Sequence, residues 1–163
     1  MIIGEVASSG VARGPAFVCA CAEDPVVPRR SIDASEALTE MERFTAAISA
    51  VEQDLLKLQQ AVLRDVGKSE AGIMEAQILL LHDPALRNEV STRCVNAKLN
   101  VEAAVDEAIE KLTSVFLRLE DPYFRERAAD LRDVGKRLLD VLAKDQWPGK
   151  FCYGCHPQGK TRS

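Results

Sequence analysis

The side chains best suited to metal or redox chemistry lie near the C-terminus. Cys152, Cys155 and His156 have the Cys-x-x-Cys-His spacing of a c-type haem attachment site. The same three side chains could bind zinc, but no fourth ligand is evident. The surrounding segment has neither a helical nor a strand period. We therefore interpret residues 146–163 as a disordered tail with ordinary thiols, and keep haem or zinc binding as the weaker alternative.

Elsewhere the candidates for catalysis are few. His82 stands between an apolar helical stretch and Asp83, and no Ser or Cys nucleophile lies at a spacing that would pair with it. The sequence has no glycine-rich phosphate-binding loop before a helix. Cys19 and Cys21 have no second cysteine pair near them. The sequence thus predicts no catalytic residue and no metal site, and favours a binding module over an enzyme.

Composition narrows the class of protein further. The 163 residues are 47% hydrophobic, 28% charged and only 5% aromatic, which is typical of a helix-rich globular domain. The net charge of −4 disfavours nucleic acid as a partner and fits an acidic surface that meets a basic protein. No apolar run is long enough to span a membrane, and the first residues lack the features of a signal peptide. We predict a cytoplasmic protein whose five cysteines stay reduced.

Helices must position any binding residues in this chain. A long amphipathic helix is predicted from Asp33, which with Glu36 has the spacing of a capping box, to Gly67. Its apolar residues recur at helical spacing, at Leu38, Met41, Phe44, Ile48, Val51, Leu55, Leu58, Val62 and Val66. A shorter helix over 69–82 follows. Asp83-Pro84 ends it and begins a third helix with Leu86, Val90 and Cys94 on its inner side.

Two more helices complete the pattern. Asn100 is suited to cap the fourth, and Asp121-Pro122 opens the fifth. The inner stripe of the fifth helix advances by four and three residues in turn, through Phe124, Ala128, Leu131, Gly135, Leu138 and Leu142. Its small members would let a neighbouring helix come close. Because the connections are short, we predict a mainly α fold in which antiparallel helical hairpins form a small bundle.

The N-terminal residues have a different pattern. Residues 2–6 and 11–18 read as two short strands joined by a turn at 8–10. An isolated hairpin is only marginally stable in water, so this one needs a surface to pack on. We therefore predict an N-terminal β segment over 1–22, a helical domain over 32–145 and the tail over 146–163.

Four segments resemble one known family, enzyme I, the phosphoenolpyruvate–protein phosphotransferase that begins the bacterial sugar phosphotransferase relay. The run Glu126–Leu139 is similar to the last helix of that family's helical domain. Three further matches occur in the family's order, at 8–16, 42–44 and 75–84. The resemblance extends from Met1 to about Lys144.

The resemblance implies that carrier docking and phosphoenolpyruvate binding belong to different domains. In enzyme I the helical domain docks the small phosphocarrier protein HPr, while phosphoenolpyruvate and magnesium bind in a separate C-terminal barrel. The N-terminal β-hairpin would then be the remnant of an incomplete α/β domain. The family's phosphorylated histidine stands in a Thr-Ser-His context that this sequence lacks, and likeness ends near Lys150. We therefore expect a chain cut short, or shifted in reading frame, before that histidine. Such a chain would need no cofactor of its own and could not accept phosphate from phosphoenolpyruvate.

The resemblance also implies which residues meet the carrier. The positions that match the family's docking face are Gly72, Glu75, Leu79, Asp83, Leu86, Phe116 and Arg127. Leu79, Leu86 and Phe116 would be apolar anchors. Glu75 and Asp83 would meet basic groups of HPr.

The main alternative is a helical scaffold without a role in phosphotransfer. It would self-associate through the Leu38–Val66 stripe, which is long enough for several heptads. A haem or redox protein centred on Cys152 and Cys155 is the third interpretation.

Overall fold

Five α-helices follow one another in the computed structural model, which describes residues 27–119 and 121–146. The helices are α1 (Glu36–Asp65), α2 (Lys68–Leu81), α3 (Pro84–Val95), α4 (Val101–Leu117) and α5 (Pro122–Gln146). The predicted helical fold is confirmed. The predicted β-hairpin and most of the predicted tail lie outside the described residues, and the domain boundaries stay a prediction. Within the described ranges the one β-type pairing is an isolated bridge between Ser31 and Leu99.

The Asp-Pro pairs begin helices as predicted. At α3, the Asp83 carboxylate accepts a hydrogen bond of 2.8 Å from the Ala85 amide. At α5, the Asp121 carboxylate accepts one of 2.9 Å from the Tyr123 amide. Each carboxylate satisfies an amide that has no partner within its own helix. These joints are consequently rigid corners, and they determine where the outward faces of α3 and α5 begin.

The start of α1 differs slightly from the prediction. The Glu36 carboxylate accepts a hydrogen bond of 2.8 Å from the Asp33 amide, which is one half of the predicted capping box. The helix itself begins only at Glu36. At its other end Gly67 takes a φ of 151° and donates its amide to the Val62 carbonyl at 3.0 Å, so α1 ends where predicted.

Among the described helices, α4 and α5 share the most extensive packing. Five of the six predicted stripe residues of α5 are buried and Phe124 is half-buried. A Cβ placed on Gly135 would come within 2.8 Å of Ile109 Cγ1 on α4. The glycine is therefore required by the close approach of the two helices.

The predicted stripe of α1 is buried only in its middle. Phe44, Val51 and Leu55 belong to the core, whereas Leu38 is 71% exposed and Val66 is 66% exposed. Leu38 lies in the first turn of α1, where the neighbouring Ala37 faces the core instead, and Val66 lies beyond the last residue of the helix, Asp65. Leu58 on α1 and Leu119 after α4 are likewise exposed rather than inward-facing. The middle of the stripe is thus already covered by the chain's own helices.

A buried ion cluster joins α1 to the start of α4. The Arg43 guanidinium contacts Glu40 at 2.8 Å and Glu102 at 2.6 Å, and both carboxylates are nearly inaccessible to solvent. Glu40 also accepts the Val101 amide at 2.8 Å and so satisfies the first turn of α4. Asn100 was expected to cap α4 with its side chain. Its side-chain oxygen instead accepts a hydrogen bond from the Arg30 amide, and its side-chain nitrogen donates to the Pro28 carbonyl, both in the connector before α1.

Replacing Gly135 by Ala tests the close packing of α4 and α5. The added methyl meets Ile109, whose branched side chain cannot easily move. Overpacking of about 1–3 kcal/mol outweighs the helix-forming gain of about 0.5–1 kcal/mol. We expect the free energy of unfolding, measured in urea, to fall by about 1 kcal/mol. The matched control Gly72→Ala, with no atom within 4 Å of the new Cβ, should instead stabilise the fold. Equal effects of the two substitutions would contradict this packing.

Replacing Arg43 by Met tests the buried ion cluster. The change leaves Glu102, which is 5% exposed, without a cationic partner, and leaves Glu40, which is 4% exposed, with only Arg30 at 3.0 Å. We expect the free energy of unfolding to fall by about 3–5 kcal/mol. Arg64→Met is the control, because its side chain is 74% exposed and lies 3.7 Å from Asp65. It should change stability by less than about 0.5 kcal/mol. A loss at Arg43 as small as that of the control would mean that the cluster is not structurally important.

Candidate functional site

The outward face of α2 carries three of the residues implied as docking residues. Gly72, Glu75 and Leu79 are separated by steps of three and four residues, so they share one side of the helix, and Asp83 follows the helix as the N-cap of α3. Leu79 is 65% exposed, although it sits in an otherwise apolar segment. The opposite side holds the buried residues Gln77 and Leu81. The helix thus presents an apolar residue between acidic ones on a surface that no described residue covers.

The first turns of α5 lie beside this face. Tyr123 is 53% exposed and its ring packs edge-on against Phe124, with centroids 5.5 Å apart. Phe124 in turn lies 6.0 Å from the ring of Phe116 on α4. This row of three rings fixes the start of α5 against the end of α4. It holds Tyr123 at the surface beside α2.

A shallow groove of about 380 Å³ separates α2 from α5. Three small or apolar residues of α2 and four polar residues of α5 line it: Gly72, Ile73, Ala76, Tyr123, Glu126, Arg127 and Asp130. Its shape comes partly from Gly72, which adds no side chain. The groove can hold protruding apolar side chains of a partner protein and present charges around them.

Arg127 is the organised cation of the groove. Its Nε and one terminal nitrogen donate to the Tyr123 hydroxyl at 3.0 and 2.9 Å. The guanidinium carbon lies 5.2 Å from the centre of the Tyr123 ring, within cation–π range. The other terminal nitrogen is 4.0 Å from the Asp130 carboxylate. A tyrosine and an acid therefore hold this side chain before any partner arrives.

The acidic side of the groove is electrostatically crowded. Burial raises the pKa of Asp130, and the neighbouring carboxylates of Asp133 and Glu126 raise it further. Arg127 opposes this shift but does not cancel it. A basic group from a partner would relieve the same repulsion, which makes the site receptive to cations.

The structure brings together most of the implied docking residues but not all. Gly72 and Arg127 line the groove, and Glu75 and Leu79 extend its α2 side. Asp83 is half-buried at the end of α2, where it caps α3. Phe116 is also half-buried and supports the groove from behind through Phe124.

Leu86 requires a correction. It is 1% exposed and packs in the core with Val90 and Cys94 along the inner side of α3. A partner cannot reach it in this structure, so it cannot be an apolar anchor. Its spacing to those two residues already indicated an inward position.

Five residues that line the groove were not among the predicted ones: Ile73, Ala76, Tyr123, Glu126 and Asp130. A usable signal was present in the sequence. Four groove residues recur at intervals of three and four on the side of α5 next to its buried stripe: Tyr123, Glu126, Arg127 and Asp130. What the sequence did not show is that α2 lies next to that side.

The remaining candidates for chemistry lie apart from the groove. His82 is half-exposed, and its Nε2 lies 3.1 Å from the Glu52 carboxylate on α1. Cys94 is a buried free thiol, and burial together with Glu40 and Glu102 raises its pKa to about 11. Among the described residues no His, Cys, Asp and Glu side chains form a group that could hold a metal ion. Cys152, Cys155 and His156 lie outside those residues.

Comparison with known proteins identifies the family. Residues 4–127 match the family described as PEP-utilising enzyme, N-terminal. The chain belongs to this family. Similar proteins include the phosphoenolpyruvate-protein phosphotransferases of Staphylococcus epidermidis, 35% identical over 143 residues, and Listeria innocua, 31% identical over 139 residues. In both cases the match covers 85% of this chain and 24% of the relative.

Solved structures agree with the family assignment. An NMR structure of enzyme I (nEIt) is 32% identical and matches with a TM-score of 0.71, covering 79% of this chain and 52% of that one. A solved structure described as "N-terminal domain of Enzyme 1 - Nitrogen" matches with a TM-score of 0.65 at 32% identity, over 76% of this chain and 51% of that one. The helical bundle is therefore that of the enzyme I N-terminal domain. Of the described helices, none has the length and apolar character of a membrane-spanning segment.

Proposed function

We propose that the groove between α2 and α5 docks the phosphocarrier protein HPr for phosphoryl transfer in the sugar phosphotransferase system. The observation that carries the proposal is the presence of two exposed apolar side chains on α2, Ile73 in the groove and Leu79 on the adjacent outward face, with acidic side chains near them. Family membership supplies the context, because the relatives are named phosphoenolpyruvate-protein phosphotransferases. A small basic protein with an apolar centre fits this surface.

Each part of the surface has a separate role in the proposal. Leu79 and Ile73 would lose solvent contact at the centre of the interface and supply most of the affinity. Glu75 and Glu126, both exposed, would attract basic groups and speed the encounter. Arg127 would bind an oxygen acceptor of HPr. Binding should therefore weaken as salt increases.

The proposal assigns the chemistry itself to other parts of full-length relatives. The chain spans only about a quarter of their length. Phosphoenolpyruvate and magnesium would bind elsewhere, and the phosphorylated histidine would lie outside the helical bundle. We place the protein in the cytoplasm, where the buried free thiol of Cys94 would remain reduced.

The scaffold alternative receives less support from the structure. Self-association through α1 would need its apolar stripe, but Phe44, Val51 and Leu55 are already buried inside the chain. The exposed members of the stripe, Leu38, Leu58 and Val66, are separated by buried or half-buried members and do not form a continuous seam.

A calorimetric titration with HPr from the same organism tests the proposed docking. We expect saturable one-to-one binding that Leu79→Ala weakens about tenfold, since a central apolar anchor contributes roughly 1–2 kcal/mol. Leu38→Ala is the matched control, because that leucine is equally exposed, at 71% against 65%, but lies at the start of α1. The Leu38→Ala variant should bind HPr with the same affinity as the unmodified chain. Absence of binding, or equal losses in the two variants, would contradict the proposal.

A further inference from the structure

Tyr123 is the residue of the groove with the most unusual set of contacts. Its hydroxyl accepts two hydrogen bonds from one guanidinium, that of Arg127, at 2.9 and 3.0 Å. Its ring lies within cation–π distance of the same group. Arginine is a long side chain with many rotamers, so contacts that hold it in one of them lower its conformational entropy. The arrangement fixes both the position and the plane of the guanidinium.

The ring itself is held from the other side. Tyr123 packs edge-on against Phe124, and Phe124 packs against Phe116. The position of Arg127 therefore depends on contacts among three aromatic rings, which connect it to α4. A surface tyrosine with no role beyond helix formation would need no such support.

The donors on the terminal nitrogen of Arg127 that does not reach Tyr123 make only a loose ion pair. This nitrogen is 4.0 Å from the Asp130 carboxylate, within ion-pair range but beyond hydrogen-bond range. In the part of the chain that the structure describes, no hydrogen bond uses that nitrogen. Because Arg127 lines the groove, these donors are available to a docked protein.

We propose that Tyr123 is a positioning residue of the docking site, which pre-orients Arg127 to bind a carboxylate or carbonyl oxygen on the phosphocarrier. This inference rests on the proposed docking function and adds a determinant of affinity to it. Holding the guanidinium in advance lowers the conformational entropy lost on binding. Tyr123 itself need not contact the carrier's acceptor.

The test combines two substitutions and their double variant. Tyr123→Phe removes the hydroxyl but keeps the ring, and Arg127→Ala removes the group that it positions. We expect Tyr123→Phe to weaken carrier binding by calorimetry about three- to tenfold, the range for loss of such a hydrogen-bonded contact. In the Arg127→Ala background the same change should have no further effect, because no guanidinium remains to be positioned. Thr45→Ala, which removes an exposed hydroxyl on α1, is the control and should bind normally.

A second measurement needs no partner. In NMR spectra of the free chain, the Nε–H of Arg127 should give a protected, ordered signal that Tyr123→Phe abolishes. If the unmodified chain does not bind HPr, the docking function itself is overturned. If it binds normally and Tyr123→Phe binds equally well, only the role of Tyr123 is overturned. Equal losses in the presence and absence of Arg127 would likewise overturn positioning and indicate a direct or structural effect.

Discussion

The arrangement of the helices depends on one buried cation between two buried carboxylates. Arg43 holds Glu40 and Glu102 in a part of the protein that water scarcely reaches, where an unpaired charge would be strongly unfavourable. Because Glu40 also accepts an amide from the first turn of α4, the cluster sets where α4 starts relative to α1. The α4 helix then sets the place of α5 through the close contact at Gly135. The position of α5 in turn shapes the groove between α2 and α5, where docking is proposed.

Much of the fold could be predicted because its signals are local. Asp-Pro pairs begin α3 and α5, and a glycine ends α1, for reasons that involve only neighbouring residues. The stripe of α5 was predictable because other helices pack against this face along most of the helix. The stripe of α1 was predicted too long, since periodicity reports a face and not how far other helices cover it. The capping of α4 by Glu40, far away in the sequence, has no local signal at all.

The same difference between local and long-range signals applies to the candidate site. The α2 half follows from a resemblance and from helical spacing, and the structure places its residues on one exposed face. The α5 half depends on which helix packs beside which, so Tyr123 and Asp130 emerged only from the structure. Leu86 shows the converse: family position suggested a surface role, but packing places it in the core. Membership of a surface between helices is a property of tertiary packing, which a single sequence does not display.

The most direct measurement of the central claim is an NMR titration of the isotope-labelled chain with unlabelled HPr, following every backbone amide. Docking in the groove predicts the largest shift changes on the outward face of α2 and in the first turns of α5, from Tyr123 to Asp130. Amides at the start of α1, around Leu38, should not move. Shift changes centred on α1, or no saturable change anywhere, would contradict the account.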